Sequence, residues 1–264
     1  MKWTIGIGIK PGHQGPLGFM AWLCKASLQP AGESVVACHV TPPESWLARV
    51  FHGPDGERQI VAAQRRAREL CDEVFDRAGV ATMLHRIEIC AHDTIYDGLA
   101  SVSKTYDSEA LVIGRHARSD ENDLVRLGPI ARKCLARCPG PLVVVPPEYR
   151  APRGETPAVV LLTDLEPHSE AAADMAQHIA RQFGLELHLV HVTKPVSWSV
   201  PYIPESALSK ASLAAVEAAT LRVRAWLDAR RLAVAKAHVL SGDPTRTAAA
   251  LLATGEVALA VTGW

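Results

Sequence analysis

The sequence carries no excess charge of either sign. Lys and Arg together number 28, and so do Asp and Glu, so the formal net charge is 0 at pH 7. A chain without a net field offers little attraction to nucleic-acid phosphates or to an anionic membrane surface. We therefore expect neither nucleic acid nor a membrane as a partner.

Long apolar runs are also scarce. The N-terminal segment MKWTIGIGIK has a five-residue apolar stretch before Lys10, whereas a secretory signal needs about 7–15 such residues. The apolar segment 248–264 is interrupted at 254–256, so it predicts a helix end, a turn and a strand. A membrane helix would need about 20 apolar residues. We expect no export signal, no membrane span and a cytoplasmic location.

Closely spaced cysteines and hydrolase motifs are missing too. The six cysteines are scattered except for Cys134 and Cys138, which is typical of reduced thiols rather than of a disulfide framework. That pair has no further ligands nearby in sequence, so we interpret it as small hydrophobic side chains rather than a zinc site. No Gly-x-Ser-x-Gly elbow occurs. We predict no catalytic residue and no metal site.

What the sequence does contain is a long internal repeat. Two short β-branched runs, WTIGIGI at 3–9 and PAVVLLT at 157–163, each precede a helical pattern. A second apolar run follows in each half, at 34–40 and 185–192, and both of these end in His-Val. The chain therefore consists of two related halves.

A Ser-Trp pair amid prolines comes next in each half. The two pairs, at 45–46 and 197–198, are 152 residues apart. Their recurrence supports the duplication. The surrounding prolines predict that both pairs lie in loops, where the tryptophans pack over the edge of the second strand.

Strands alternate with helices in both halves, and the strands are near-continuous apolar runs. This pattern indicates parallel sheets covered on both faces. The first half reaches a fifth strand at 141–145, whereas the second ends after a fourth strand at 258–263. We predict an α/β fold with two tandem, Rossmann-like, five-stranded parallel domains, 1–148 and 156–264. The second domain lacks its last helix and strand.

The loop VIGRHARSDENDLVRLGP, at 112–129, follows the fourth strand of the first half. Glycines between a strand and a helix let backbone N–H groups approach phosphate oxygens, and a helix N-terminus adds a favourable dipole. The loop therefore lies where a phosphate would bind.

These features resemble the universal stress protein family in its tandem form. The resemblance rests on the order of elements, the His-Val endings, ALVIG…LGPIARKCLARCPGPLVVVP at 110–146 and SGDPTRTAAALLATGEVALAVTG at 241–263. It implies a five-stranded sheet of the adenine nucleotide alpha hydrolase type in each domain, with the fifth strand often used for dimer contact. It also implies, for nucleotide-binding members, an Asp after the first strand that faces adenine. In those members a G-x2-G-x9-G-[ST] loop holds the ribose and phosphates.

The first half departs from this pattern at several positions. Gly114 and Gly128 match the first and last glycines, which makes them nucleotide-binding candidates. However, Ala117 stands at the second glycine, where its Cβ obstructs close approach, and the spacing to Gly128 is one residue too long. Pro129 removes a hydroxyl and an N–H, and Lys10 replaces the Asp. We expect the first domain not to bind ATP.

The second half keeps the other part of the pattern. Asp164 matches the adenine-facing Asp, Val192 the residue after the second strand, and Gly263 the first loop glycine. The resemblance makes these three residues nucleotide-binding candidates, with ATP as a possible cofactor in the second domain only. The remainder of the loop would require residues beyond Trp264.

Positive charge gathers at the start of the first-half loop. Arg115, His116 and Arg118 are candidates for binding a sulfate, a phosphate or an acidic partner. The alternative is a solvated loop, because the same stretch contains carboxylates that can neutralise the charge, namely Asp120, Glu121 and Asp123.

The resemblance and the departures from it favour a non-catalytic stress-response or signalling protein that forms homodimers or pairs its two domains. A second hypothesis is an ATP-dependent switch that acts through the second domain. A third is an adenine-nucleotide hydrolase-like enzyme, for which the sequence offers no recognisable catalytic constellation.

Overall fold

The computed structural model of the chain describes residues 1–9, 15–26, 35–81, 86–115, 127–153, 157–194 and 204–263. The chain divides into two compact units, Met1–Ala151 and Pro152–Trp264. The domain limits 1–148 and 156–264 stay a prediction. In the described part of the chain, no helix is both long enough and apolar enough to cross a bilayer.

The first unit alternates strands and helices. Its elements are β1 (Trp3–Gly6), α1 (Gly15–Ala26), β2 (Val35–Thr41), α2 (Glu44–Val50), α3 (Gly56–Ala78), β3 (Arg86–Ala91), α4 (Ile95–Thr105), β4 (Ala110–Gly114), α5 (Pro129–Arg137) and β5 (Leu142–Val145). The strands form one sheet in the order β3-β2-β1-β4-β5, and all of its pairings are parallel.

Alternate side chains of these strands face opposite layers, as the two-residue period of a strand requires. On one face, buried residues of β2 and β4 form a cluster with residues of α4 and α5: Val36, Cys38, Leu99, Val102, Leu111, Ile113, Ala131 and Cys134. On the other face, the ring of Trp3 in β1 packs edge-to-face on Phe19 of α1 at 6.3 Å. The first unit is therefore a three-layer α/β/α fold.

The second unit repeats this plan with one strand fewer. Its elements are β6 (Ala158–Leu162), α6 (Ser169–Phe183), β7 (Glu186–Thr193), α7 (Glu205–Arg230), β8 (Lys236–Ser241), α8 (Pro244–Leu252) and β9 (Val257–Thr262). The parallel sheet has the order β8-β7-β6-β9, so its four strands confirm the prediction for the second half.

The fourth strand has different surroundings in the two units. In the first unit β4 lies between β1 and β5, and Val112 in its centre is fully buried. In the second unit β9 lies at the edge of the sheet, and Val261 is only half-buried. The described part of the second unit thus presents an unpaired strand edge where the first unit has β5.

The loop predicted around Ser45-Trp46 is wrong, because these residues lie in the helix α2. Leu47 of α2 is buried and α2 contacts α3, but Trp46 is 44% exposed. Trp46 is therefore not a buried packing residue over the strand edge. Ser197 and Trp198 lie outside the described residues.

Candidate functional site

Both sheets reverse their strand order beside the first strand of the unit. In such sheets ligands bind outside the carboxyl ends of the strands, at the point where the order reverses. That point lies between β1 and β4 in the first unit and between β6 and β9 in the second. Gly114 ends β4, while Asp164 follows β6 and Gly263 follows β9, so these candidates lie at the expected edge.

Asp164 is held within its own loop. Its Oδ1 accepts hydrogen bonds from the Glu166 N–H at 3.0 Å and from the Ser169 hydroxyl at 2.9 Å. Its Oδ2 lies 3.0 Å from Nε2 of His168. The loop also contains Leu165 at a φ of 71°, an uncommon conformation for a side chain of this size. Asp164 therefore orders the turn that leads into α6.

The same contacts set the charge of Asp164. Partial burial disfavours the ionised carboxyl, but hydrogen bonds from the Glu166 N–H and the Ser169 hydroxyl outweigh that effect, so the pKa of Asp164 lies below its ordinary value. The side chain remains 54% exposed. Asp164 is thus an anionic group that still has a face open to solvent.

Gly263 packs closely against this loop. A Cβ added to Gly263 would lie under 3.0 Å from the carbonyl oxygen of His168 and 3.1 Å from Cα of Ser169. Such an approach is closed to any residue with a side chain. The first glycine of the predicted phosphate loop therefore has a packing role at the N-terminus of α6.

Val192 is the penultimate residue of β7 rather than the residue after it. It pairs in register with Leu240 of β8 and is half-buried. The structure places it at the carboxyl end of the sheet, but on the strand beside β6 rather than in the loop that contains Asp164.

Gly114 has a packing role similar to that of Gly263. It pairs in register with Val145, and a Cβ on Gly114 would lie 3.1 Å from Cγ of Pro16, near the start of α1. Contacts of 3.0–3.4 Å are tighter than nine in ten real Cβ contacts. Both glycines thus allow the first helix of a unit to approach the fourth strand.

Arg115 is already paired within the first unit. Its backbone N–H donates to the carbonyl of Val145 at 2.6 Å, and its Nη2 donates to Oε1 of Glu148 at 2.9 Å. The Arg115 side chain is 22% exposed. Since Glu148 neutralises the guanidinium, this predicted anion ligand has a carboxylate partner inside its own unit.

Gly128 is the N-cap residue of α5, with a φ of −62° and Pro129 directly after it. This φ is open to any residue, so the backbone does not require glycine here. One turn further on, Lys133 of α5 donates to the hydroxyl of Thr94 at 3.0 Å. Thr94 caps α4, so this hydrogen bond joins the N-terminal end of α4 to the middle of α5.

Four residues named in the sequence analysis lie outside the described residues. They are Lys10 and Ala117, which depart from the family pattern, and His116 and Arg118, which are anion-binding candidates. The anion site proposed around His116 and Arg118 stays a prediction. In the rest of the chain, no group of three or more His, Cys, Asp or Glu residues is arranged to hold a metal ion.

Sequence reasoning missed the partners of Asp164. Ser169 is 2% exposed and His168 precedes it at the start of α6. One signal was available, because Asp is favoured in turns, where its side chain accepts a hydrogen bond from the backbone N–H two residues further on. The pairing with His168 has no such signal, because it depends on the path of the whole loop.

The profile of the universal stress protein family matches residues 17–146 and 157–264, and the two matches together cover most of the chain. The chain belongs to the universal stress protein family. Its two matches and two sheets make it a tandem member. A comparison with curated proteins found no match.

Solved structures of universal stress proteins share the fold. One, from Archaeoglobus fulgidus DSM 4304, has 12% identity and a TM-score of 0.56, covering 98% of this chain and 85% of that one. A candidate universal stress protein from Pseudomonas aeruginosa UCBPP-PA14 has 11% identity and a TM-score of 0.55, covering 98% and 81%.

Both units of this universal stress protein carry the same histidine contact. Nδ1 of His39 lies 2.9 Å from the carbonyl oxygen of Ile7, and Nδ1 of His191 lies 2.8 Å from that of Thr163. Because a carbonyl oxygen only accepts hydrogen bonds, Nδ1 is the protonated ring nitrogen in both. The His-Val repeat of the sequence thus fastens the second strand to the end of the first.

Proposed function

We propose that this universal stress protein is a non-catalytic stress-response or signalling protein of the cytoplasm, and that its first unit does not bind ATP. The observation that carries the proposal is the pairing of Arg115 with Glu148 at the edge where phosphates would bind. Glu148 already supplies that guanidinium with a carboxylate from the same unit, so an arriving anion competes with an existing charge-assisted hydrogen bond.

Two further features of that edge support the proposal. The start of α1 packs closely on the end of β4, because a Cβ on Gly114 would lie 3.1 Å from Cγ of Pro16. Pro129 begins α5 and offers neither an N–H nor a hydroxyl to a phosphate. Among the described residues, the start of α5 therefore offers a triphosphate fewer donors than the family pattern does.

Photo-crosslinking of the full chain with 8-azido-ATP tests this proposal. We expect no peptide from residues 1–151 whose labelling is lost when excess ATP is added as the competitor. The control is a chain with Glu148→Gln, in which Arg115 is released from its carboxylate. Specific, competed labelling of the first unit of the unaltered chain would contradict the proposal.

An ATP-dependent switch in the second unit is the other candidate function. It is favoured by Asp164, an ionised and half-exposed carboxylate at the carboxyl end of β6. The adenine amino group can donate to the face of the Asp164 carboxylate that is open to solvent, while the Glu166 N–H and the Ser169 hydroxyl keep their hydrogen bonds to Oδ1. Binding would therefore add a partner to the turn that leads into α6.

Calorimetry with Mg-ATP tests that alternative in the full chain. The switch requires binding that Asp164→Ala weakens at least tenfold and that Asp174→Ala, on the exposed face of α6, leaves unchanged. Absence of binding, or equal binding by both variants, removes the switch hypothesis and leaves the non-catalytic proposal standing.

We also propose that the protein forms homodimers or pairs its two units. The support is the edge position of β9, whose backbone donors and acceptors on one side have no strand partner among the described residues. Exposed edges of this kind invite pairing with another strand. Native mass spectrometry over a concentration series measures the subunit number, and a monomer at all concentrations excludes the homodimer.

A further inference from the structure

Two cysteines lie side by side on neighbouring strands of the first unit. Sγ of Cys38 in β2 and Sγ of Cys90 in β3 are 3.7 Å apart, and both thiols are free. Both belong to the face of the sheet that α4 covers, where a Cβ on Gly98 would lie 3.2 Å from Cys90 Sγ. The helix thus holds the two sulfur atoms at a fixed separation.

A direct bond between these sulfur atoms does not fit their positions. Cys38 pairs in register with Glu88, whereas Cys90 pairs with Val40, so the cysteines are two residues out of register. Strand spacing and rise put their Cα atoms roughly 8 Å apart, beyond the ~4.4–6.8 Å of a disulfide. The sulfur atoms would also have to close from 3.7 Å to about 2.05 Å. The 3.7 Å contact is that of two thiols in a weak S–H···S hydrogen bond, and at this separation one larger atom can bond to both sulfur atoms.

The chemistry of the pair limits what the bridging atom can be. Thiolates favour soft ions, but a structural zinc ion takes four protein ligands. The described residues include no group of three His, Cys, Asp or Glu side chains able to hold a metal. The bridging atom must therefore be thiophilic and satisfied by two sulfur atoms. A trivalent arsenical of the type R–As=O meets both conditions.

We propose that Cys38 and Cys90 form a dithiol site that chelates a trivalent arsenical across β2 and β3. In the reaction, R–As=O and two thiols give R–As(S–Cys)2 and one water. Two As–S bonds form, the As=O bond and two S–H bonds break, and the oxygen leaves with both thiol protons. No oxidant or reductant takes part, since arsenic and sulfur keep their oxidation states.

Access to the site runs through Cys90. Cys38 is 1% exposed, whereas Cys90 is half-buried and lies on β3, the edge strand of the sheet. Burial raises the pKa of both thiols, so each carries its proton near neutral pH. This difference in exposure favours a first As–S bond at Cys90, followed by ring closure at Cys38.

The two remaining cysteines of the α4 and α5 face provide a matched control. Cys134 lies in α5 and Cys138 caps its end, four residues further on. Both pack on the same cluster as Cys38. Removing this pair deletes the same number of thiols from the same region but leaves the proposed site intact.

The test uses the full chain, phenylarsine oxide as the probe and intact-protein mass spectrometry as the readout. We expect one adduct per chain, retained in Cys134→Ala/Cys138→Ala and reversed by 2,3-dimercaptopropanol. Cys38→Ala and Cys90→Ala should each weaken binding at least tenfold, because either leaves a single As–S bond. In the unaltered chain, digestion should yield an arsenic-bridged pair of peptides that contain Cys38 and Cys90. This readout does not depend on whether the variants fold.

Three results overturn the proposal: no adduct, a bridged pair formed by other cysteines, or equal binding by the chain and its Cys90→Ala variant. Rapid formation of a Cys38–Cys90 disulfide by hydrogen peroxide would also contradict the argument from register. The site is independent of nucleotide binding, so these outcomes do not bear on the proposed function.

Discussion

His191 and Thr163 are joined by a buried hydrogen bond of 2.8 Å between the imidazole Nδ1 and a backbone carbonyl. His191 is 7% exposed, whereas its counterpart His39 is half-buried. A buried carbonyl that loses its donor is left unsatisfied, and such a group costs about 1–3 kcal/mol. The bond fixes the end of β6 immediately before Asp164.

We therefore expect His191→Leu to destabilise the second unit by about 1–3 kcal/mol. The matched change His39→Leu should have a smaller effect on the first unit, because water can reach the freed carbonyl of Ile7. Pulsed hydrogen exchange at increasing urea concentrations, read by mass spectrometry, reports each unit separately. His52→Leu, at an exposed position, is the control. Equal losses of stability in the His191→Leu and His39→Leu variants would show that burial does not determine the energy of this hydrogen bond.

Thr94 supports a second prediction, on the coupling of α4 to α5. Its side chain accepts from the Asp97 N–H at 3.2 Å, which caps α4, and also accepts from Lys133 at 3.0 Å. Thr94→Ala should cost about 1 kcal/mol of stability in the first unit, the usual effect of losing an N-cap. Urea unfolding measures it. Thr94→Ser should retain the stability, and Thr105→Ala at the exposed end of α4 should change little. A Ser variant as unstable as the Ala variant would mean that packing, not the hydroxyl, matters.

The ends of some strands and helices could be predicted because a glycine or a proline marks them. β4 ends at Gly114 and α5 begins at Pro129, the residue at which the loop predicted at 112–129 also ends. The helix α2 was missed because prolines before Ser45 suggest a loop. Proline is also common just before and at the start of helices, and Pro43 is the N-cap residue of α2.

The resemblance to the universal stress protein family predicted that Asp164 and Gly263 belong to one site, but it did not predict their contacts. The Asp164 carboxylate meets Ser169 across a loop in which Leu165 takes a positive φ, and the sequence does not indicate this path. The 3.7 Å contact between Cys38 and Cys90 likewise depends on strand register. Hydrophobic period fixes which face a residue occupies. A register slip of one residue would move a side chain to the other face, but a slip of two would not, so the period does not distinguish such registers and does not fix the path of a loop.

Gly263 is the subject of a third prediction. We expect Gly263→Ala to destabilise the start of α6 by about 1–3 kcal/mol, the usual range for overpacking, because the new Cβ meets backbone rather than a flexible side chain. Hydrogen exchange in peptides spanning 164–170 should quicken. Gly140→Ala, where a Cβ meets nothing within 4 Å, should leave stability unchanged. An unchanged hydrogen-exchange rate in the Gly263→Ala variant would mean that the loop at His168 can move to accept the new Cβ without loss of stability. The packing role assigned to Gly263 would then be wrong.

The lowered pKa of Asp164 leads to the last prediction, on pH. Burial alone would raise the pKa, but the bonds from Glu166 and Ser169 lower it below the ordinary 3.8. A carboxyl with a lowered folded-state pKa stabilises the protein above its unfolded pKa, and this stabilisation is lost as the pH falls through the folded value.

For this reason the thermal midpoint of the second unit should be higher in the unaltered chain than in Asp164→Ala at pH 6–7, and the difference should shrink below about pH 4.

Asp164→Asn is the informative comparison. Its amide oxygen can still accept from Glu166 and Ser169, but the charge that faces His168 is gone. The Asn variant should therefore keep part of the stability at pH 7 and lose the pH dependence. Melting curves between pH 3 and pH 7, monitored by hydrogen exchange in α6, measure both effects. A difference between the unaltered chain and Asp164→Ala that stays constant across this range would show that the carboxylate charge does not contribute to the fold of the loop.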